Sequence, residues 1–301
     1  MSEMHFPGSY LVKRLFSGGN IIAMAGPFVI KRVGGSHPRR KFYSETTARR
    51  WLSQVGVPTV PIHFQVGVLN SFVMQRAAVP TLNRSVTEDL LAAFVDHVIE
   101  LSALRLPPNA PPGFYWLDEP TQRRAYPTYN EFLARESITD RPAFRTAHPS
   151  VRLEEAEACF QKAEQQPARL LVLTDIAPKN VVYHDGRFTH LDLEVTLVGP
   201  PEFLLVKAAM NLASDVGDRF GGRQARRRLL DHCASRDNAR AALIFALLRR
   251  MVYEAHAGRT DPRAGQALHA ALAGSTLDEA INWLEGSWDV ARVSAAARPA
   301  E

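Results

Sequence analysis

The spacing of apolar residues predicts a strand-rich amino-terminal part and a mainly helical remainder. Residues 8–33 contain short β-branched and aromatic runs separated by glycine and proline, a pattern typical of a small antiparallel sheet. A helical stretch follows over residues 41–56, ended by a glycine and a proline, and residues 61–77 predict two more strands. The character of the sequence changes after Pro80.

Beyond Pro80 the apolar residues recur mostly at helical spacing, as in residues 86–106. Residues 105–150 are rich in proline and aromatic residues, which indicates a partly irregular insertion. A short hairpin is predicted to turn at Asp185-Gly186, and the pattern from about residue 202 to 293 is helical. We therefore predict an α+β chain with two lobes, residues 1–79 and 80–301.

Composition excludes several classes of protein. The 301 residues are 46% hydrophobic and 22% charged, an ordinary composition for a chain that buries a core. No apolar run reaches the roughly 18 residues of a membrane span, and the first residues lack the pattern of a secretion signal. The two cysteines have no metal-ligand spacing, so we expect a reducing cytoplasm.

The net charge of +5 is unevenly distributed. Residues 1–79 contain ten Lys and Arg against two acids, Glu3 and Glu45, so this part carries +8 and the remainder −3. A basic amino-terminal part suits a ligand that bears phosphate, although a solvated basic face would give the same count. We expect neither a nucleic-acid nor a membrane partner.

The candidate chemistry is concentrated in residues 173–194. Asp175 precedes Asn180 by five residues, and Asp192 follows Asn180 by twelve, across the predicted hairpin. Transfer of a γ-phosphoryl group needs a carboxylate to orient the attacking hydroxyl and oxygen ligands for the magnesium that bridges the phosphates. The hairpin would return Asp192 to the loop that carries the other two residues. Asp175 is thus a candidate catalytic residue, and Asn180 and Asp192 are candidate metal ligands.

These residues resemble the aminoglycoside-phosphotransferase branch of the protein-kinase-like superfamily. The motif of that branch, H-G-D-x-x-P-x-N followed by a hairpin and I-D-[FWL]-[EG], is similar to the segments 173–180 and 191–194 here. Leu173 replaces the usual histidine, and Leu204 stands where the family often has an aspartate. The resemblance implies a bilobal protein-kinase-like fold. Its N-lobe would be a small antiparallel β-sheet with one helix, and its C-lobe larger and mainly helical.

The other lobe contains the further pair that such a fold requires. Lys31 lies in a strand pattern, Phe-Val-Ile-Lys, much like the V-A-I-K of kinases. Glu45, fourteen residues later, is the only acid between Glu3 and Glu88. The resemblance implies that Glu45 holds Lys31 against the α- and β-phosphates. A surface lysine and a solvated glutamate are the alternative interpretation.

Two further segments are candidates for nucleotide binding. The turn Ser17-Gly18-Gly19-Asn20 lies between two strands, and small residues let backbone N–H groups approach phosphate oxygens, although an ordinary hairpin turn reads the same. By resemblance, the backbone from Met74 through Gln75 and Arg76 to Ala77 is the hinge that would bond the adenine.

Two residues beside the motif have more than one interpretation. Glu194 falls on the same strand face as Asp192, where it could assist the metal, bind a basic substrate group or form a local ion pair. Lys179 could steady the transferring phosphate or lie at the surface.

The resemblance implies a magnesium-dependent kinase that moves a phosphoryl group from ATP or GTP to a hydroxyl of a small molecule, such as an antibiotic or a sugar-like metabolite. The carboxyl-terminal part is only mildly acidic and contains arginine-rich stretches, so we expect a neutral or anionic acceptor rather than a polycation. Two alternatives stay open: a protein kinase or kinase-like effector, and a nucleotide-binding pseudokinase.

Overall fold

The structure is a computed structural model that describes residues 3–6, 10–17, 20–35, 37–77, 79–118, 123–138, 141–163, 170–256 and 261–285. Its strands are β1 (Glu3–Phe6), β2 (Tyr10–Ser17), β3 (Asn20–Ala25), β4 (Phe28–Arg32), β5 (Ile62–Val66), β6 (Ser71–Gln75), β7 (Tyr115–Trp116), β8 (Leu170–Leu173), β9 (Val181–His184), β10 (Arg187–His190) and β11 (Thr196–Gly199). Its α-helices are α1 (Pro38–Gln54), α2 (Glu88–Ser102), α3 (Tyr129–Glu136), α4 (Arg141–Ala147), α5 (Leu153–Lys162), α6 (Pro201–Asp215), α7 (Gly222–Asp231), α8 (Arg236–His256), α9 (Pro262–Leu272) and α10 (Leu277–Asn282).

The amino-terminal strands form one antiparallel sheet in the order β1-β2-β3-β4-β6-β5. Most of this sheet was predicted from its short β-branched and aromatic runs, but β1 was not. The register places Lys31 of β4 opposite Phe72 of β6. Because successive strand residues face opposite sides, Lys31 is buried while Ile30 is 43% exposed. The alternation therefore turns a charged side chain, rather than an apolar one, towards the interior.

Helix α1 covers the inner face of this sheet. A proline in its first turn suits the start of a helix, because the missing N–H would have no partner there. Phe42 of α1 stacks on Phe72 with ring centroids 4.6 Å apart, and Val33, Val60 and Met74 complete a small apolar cluster. Glu45 lies three residues after Phe42, on the same face of α1, and is fully buried.

The carboxyl-terminal part packs around α6, which is buried along most of its length. Helix α2 is capped by Thr87, whose hydroxyl accepts from the amide of Leu90. Helices α2, α7 and α8 all contact α6, and together they form the large apolar core of the molecule. This core fixes α6 as a rigid base beneath the segments that contain the polar motif.

Two small sheets present that motif. The predicted hairpin is formed by β9 and β10, and its turn residues Asp185 and Gly186 have φ of 49° and 74°, the left-handed values of a tight two-residue turn. Strands β7, β11 and β8 form a second sheet that the sequence analysis did not predict. It joins residue 116 of the insertion to the segment directly after Glu194.

Main-chain contacts join the amino-terminal sheet and α1 to the motif. The amide of His190 donates to the carbonyl of Pro58, and the amide of Val60 donates to the carbonyl of His190. The hydroxyl of Ser44 on α1 accepts from the amide of Thr196 at 3.1 Å. The described helices include none with the length and apolar character of a membrane span.

Candidate active site

Lys31 lies at the centre of three carboxylates. Its Nζ atom is 2.9 Å from Oε2 of Glu45, 3.1 Å from Oδ1 of Asp192 and 2.7 Å from Oε1 of Glu194. Burial alone would lower the pKa of Lys31, but the three carboxylates together outweigh it and hold this pKa well above its ordinary value. Lys31 is therefore a fixed cation, buried between the sheet and the hairpin.

Glu45 is fully buried and shared between two cations. Besides Lys31, Arg49 one helical turn later contacts Oε1 of Glu45 through Nη2 at 2.5 Å. The same guanidinium donates to the carbonyls of Val60 and Leu191 at 2.9 and 2.6 Å. Because Leu191 directly precedes Asp192, Arg49 ties α1 to the segment that carries Asp192. Sequence reasoning missed Arg49, although its i, i+4 spacing from Glu45 is a visible signal.

Asp192 and Glu194 both contact Lys31, but their pKa values shift in opposite directions. Burial alone would raise the pKa of Asp192, but the ammonium of Lys31 and the backbone amide of Glu194 hold it below its ordinary value. Burial raises the pKa of Glu194, the neighbouring charge of Asp192 adds to the increase, and Lys31 opposes it. Glu194 also accepts from the Asn20 side chain and lies 3.7 Å from Nζ of Lys41. Of its predicted alternatives, Glu194 has the contacts of an ion pair within the site.

Asp175 and Asn180 face each other across the loop that follows β8. The side-chain nitrogen of Asn180 donates to Oδ2 of Asp175 at 2.7 Å and to its carbonyl at 3.0 Å. The carbonyl of Asn180 accepts from the amide of Leu191 at 2.9 Å, which sets the loop beside the Asp192 segment. The Asp175 side chain is 44% exposed, and Nζ of Lys179 lies 3.9 Å from its Oδ1. Asp175 thus presents a carboxylate to the solvent side of the loop.

The base of this loop is held by α6. Asn211 on α6 donates from its side chain to the carbonyl of Ile176 at 2.9 Å. Leu204, at the position where the family often has an aspartate, is fully buried in the core instead. Leu173, in place of the usual histidine, is likewise buried among apolar residues. Sequence reasoning missed Asn211, and its signal was a polar residue within the apolar run Ala-Ala-Met-Asn-Leu-Ala.

Only part of the predicted phosphate-binding turn, residues 17–20, lies within the described residues. Ser17 and Asn20 pair at the ends of β2 and β3, while Gly18 and Gly19 lie outside the described residues. The Asn20 side chain is buried and accepts from the amide of Gly34 at 2.9 Å in addition to its contact with Glu194. Asn20 therefore links the turn to the carboxylates around Lys31.

The predicted hinge leaves β6 towards the second lobe. Met74 is buried against Phe72, and its sulfur lies 3.7 Å from Nη2 of Arg49. The amides of Gln75 and Arg76 donate to the carbonyls of Pro61 and Pro27, so both are already bonded within the sheet region. Met74 pairs with Val29 and Ile62 inside the sheet, so Ala77 is the predicted hinge residue whose amide makes no hydrogen bond to the described residues.

The oxygen atoms around Asp192 suit a divalent cation. Because Oδ1 of Asp192 accepts from Lys31 and from the Glu194 amide, Oδ2 is left without a hydrogen-bond partner among the described residues, and this side chain is 33% exposed. Asn180 uses its amide nitrogen on Asp175, so its side-chain carbonyl oxygen remains available. Magnesium prefers such hard oxygen donors together with water. The residues present therefore fit the ion that the resemblance implies.

Solved structures with the same fold include proteins named for different substrates. An aminoglycoside phosphotransferase APH(4)-Ia, a thermostable mutant in apo form, is 17% identical, with a TM-score of 0.57 and 95% of each chain covered. A choline/ethanolamine kinase family protein from Mesorhizobium loti is 11% identical, with a TM-score of 0.55 over 90% of this chain and 92% of that one. Choline kinase LicA from Streptococcus pneumoniae is 14% identical, with a TM-score of 0.51, covering 91% and 93%.

These similarities confirm the predicted fold class, a small antiparallel sheet with one helix joined to a larger helical part. No curated protein sequence matches the chain. The sequence profile of the phosphotransferase enzyme family matches residues 21–244, which span Lys31, Glu45 and the whole 173–194 motif. The chain therefore belongs to the phosphotransferase enzyme family.

Proposed function

We propose that this protein transfers the γ-phosphoryl group of ATP to a hydroxyl group of a small molecule. One observation carries the proposal: Lys31, held by Glu45 at 2.9 Å, also contacts Asp192 at 3.1 Å. These residues come from the sheet, from α1 and from the segment after the hairpin. A buried cation beside an accessible carboxylate is the arrangement that positions a triphosphate and its metal.

The nucleotide would lie between the amino-terminal sheet and the hairpin. Lys31 would contact the α- and β-phosphates, and the backbone of Ser17, Gly18, Gly19 and Asn20 would cover them. The adenine would meet the hinge, with the amide of Ala77 as its main donor, since the amides of Gln75 and Arg76 are already bonded. Two solved structures with this fold are complexes with AMP-PNP and with ADP, which favours ATP over GTP.

Asn180 and Asp192 would hold the magnesium ion, which would supply positive charge to neutralise the charge that develops on the transferring group. Asp175 would orient the acceptor hydroxyl and accept its proton. Its exposure of 44% leaves room for an acceptor, and the Asn180 side chain fixes its direction. The rate would then come from positioning and from fixed charges.

A small acceptor is favoured over a protein by the short path from Glu194 to α6. Only Val195, β11 and Pro200 separate Glu194 from the first residue of α6. That path leaves no long segment of the kind that docks peptides in protein kinases. Solved structures with this fold include complexes with the small molecules hygromycin B and gentamicin.

We also retain the lobe boundary between residues 79 and 80, and a cytoplasmic location, as proposals.

The test is transfer of label from γ-labelled ATP with magnesium to a panel of hydroxylated metabolites and antibiotics, with GTP in parallel. Asp175→Asn and Asp192→Asn should each abolish transfer. Asp185→Asn is the matched control, because its carboxylate is 83% exposed at the hairpin turn and asparagine tolerates a positive φ. Turnover like that of the wild type in either site variant would refute the assignment. Label on the protein instead of a small molecule would favour a protein kinase, and no label a pseudokinase.

A further inference from the structure

A lysine that no motif contains lies beside the proposed catalytic aspartate. Lys207 is the only basic residue of α6, and it precedes Asn211 by one helical turn. Residues four apart share a helix face, and Asn211 donates to the Ile176 carbonyl of the catalytic loop. The Lys207 side chain is therefore on the face of α6 that meets this loop. It is half-buried, in a helix whose other residues are mostly fully buried.

The charges around Lys207 are mostly positive. Burial lowers the pKa of Lys207 to about 8; Asp175 opposes this shift, whereas Arg250 and Lys179 add to it. Arg250 lies 2.6 Å from Asp261, and Lys179 lies 3.9 Å from Asp175. Among the described residues, Lys207 has no hydrogen-bond or ion-pair partner. The half-buried side chain is thus partly withdrawn from water without a hydrogen bond or ion pair among the described residues that compensates for it.

A partly desolvated ammonium without an anionic partner lowers the stability of the fold, because the water it loses is not replaced by a negative charge. Replacement by a neutral residue would remove that cost. The position of Lys207 next to Asp175, rather than on a distant surface, indicates that its partner is a group that enters with the acceptor. Such a group must be negatively charged to be attracted by Lys207 and Lys179 together.

We propose that Lys207, assisted by Lys179, binds an anionic group of the acceptor, which is therefore a small hydroxy compound that carries a carboxylate or a phosphate. This inference rests on the proposed function, since it assumes that Asp175 faces the acceptor. Electrostatic complementarity would also disfavour amine-rich acceptors, because their ammonium groups would meet the positive charges of Lys207 and Lys179 beside the single carboxylate of Asp175. The positive charge of Lys207 thus determines which chemical class of acceptor binds.

The test is competitive labelling of lysine amines, read by mass spectrometry, on the full-length protein saturated with AMP-PNP and magnesium. That complex occupies the nucleotide phosphate sites, so added anions report on the acceptor side. The probes are glycerate and inorganic phosphate, with neutral glycerol as the matched control. An anion at about three times its Kd leaves roughly a quarter of the sites free, so labelling of Lys207 should fall about fourfold. Lys162, exposed at the end of α5, should not change.

Two variants separate charge from structure. Lys207→Met should abolish anion protection measured at Lys179, whereas Lys207→Arg should retain it, because the positive charge remains. Lys162→Met should behave like the wild type. Equal protection by glycerol, equal protection at Lys162, or no protection by either anion would overturn the anion site.

The result of this labelling test can be distinguished from the result of the phosphoryl-transfer test of the proposed function. Asp192→Asn should abolish phosphoryl transfer but leave anion protection of Lys207 intact. Protection without any transfer in the wild type would sink the proposed function and keep the anion site. Transfer in the wild type without protection would keep the proposed function and overturn the anion site.

Discussion

Glu45→Gln is the substitution that tests the geometry of the site most directly, because Glu45 is fully buried and contacts two cations. Glutamine keeps the shape of the side chain but removes its charge. Lys31 would keep Asp192 and Glu194 as partners, and Arg49 would keep the carbonyls of Val60 and Leu191. Breaking a buried ion pair outright costs about 3–5 kcal/mol. Because each cation keeps other partners, we expect a smaller loss, about 1–3 kcal/mol.

The loss of activity should exceed what this loss of stability implies. Without Glu45, the remaining attraction on Lys31 comes from Asp192 and Glu194, so the ammonium would move towards the proposed metal ligand and away from the phosphates. We expect kcat/KM for ATP to fall by about 10²–10³, equivalent to roughly 3–4 kcal/mol of transition-state stabilisation.

Urea unfolding and a coupled assay of ADP release measure the two effects separately. The matched control is Glu154→Gln, since Glu154 is 74% exposed and pairs with Arg145 at the surface. Its free energy of unfolding should change by less than about 0.5 kcal/mol, and its turnover not at all. If Glu45→Gln retained both the stability and the activity of the wild type, Glu45 would not be positioning Lys31, and the reasoning would be wrong.

Three further predictions concern the support of the site and of the fold. Asn211→Ala leaves the Ile176 carbonyl without its buried donor, so unfolding should become easier by about 1–3 kcal/mol, and kcat should fall more than KM rises in steady-state kinetics. His97 and His190 contact each other through Nε2 atoms 3.0 Å apart, and burial, aided at His190 by His97 and Arg49, lowers their pKa values to about 4 and about 3. In the unfolded chain these histidines bind protons below about pH 6.5, whereas in the folded protein they stay neutral until a lower pH. The free energy of unfolding should therefore decrease as pH falls from about 6.5 towards 4, by roughly 2 kcal/mol for each histidine at pH 5. Urea titrations at pH 7.5 and 5 measure this loss, and His97→Gln should reduce it; an unchanged dependence would contradict the assignment. Arg226→Met should lower the free energy of unfolding by about 3–5 kcal/mol, because this fully buried guanidinium contacts Asp218 and Glu285, whereas Arg227→Met at the exposed neighbour should cost well under 1 kcal/mol in the same titration.

The sequence by itself determined the parts that depend on neighbours along the chain. The hairpin at Asp185-Gly186 follows from two residues that adopt a positive φ, and the residues of the 173–194 motif lie close enough along the chain for their resemblance to the family motif to be recognised. The likeness of Phe-Val-Ile-Lys to the V-A-I-K of kinases made Lys31 a candidate, and the absence of other acids nearby singled out Glu45. Each of these signals involves residues separated by less than about twenty positions, so local geometry was sufficient to interpret them.

Only the tertiary structure decided which polar side chains share a partner. Glu194 contacts Asn20 across 174 positions of sequence, and Asn211 meets the catalytic loop across 35. The two-residue pairing of β7 with β11 is too short to leave a periodic signal. Nothing in a sequence states that a lone lysine in an apolar helix faces a loop rather than solvent. Burial and the sum of nearby charges are properties of the packed chain, and they distinguish Lys207 from a surface lysine.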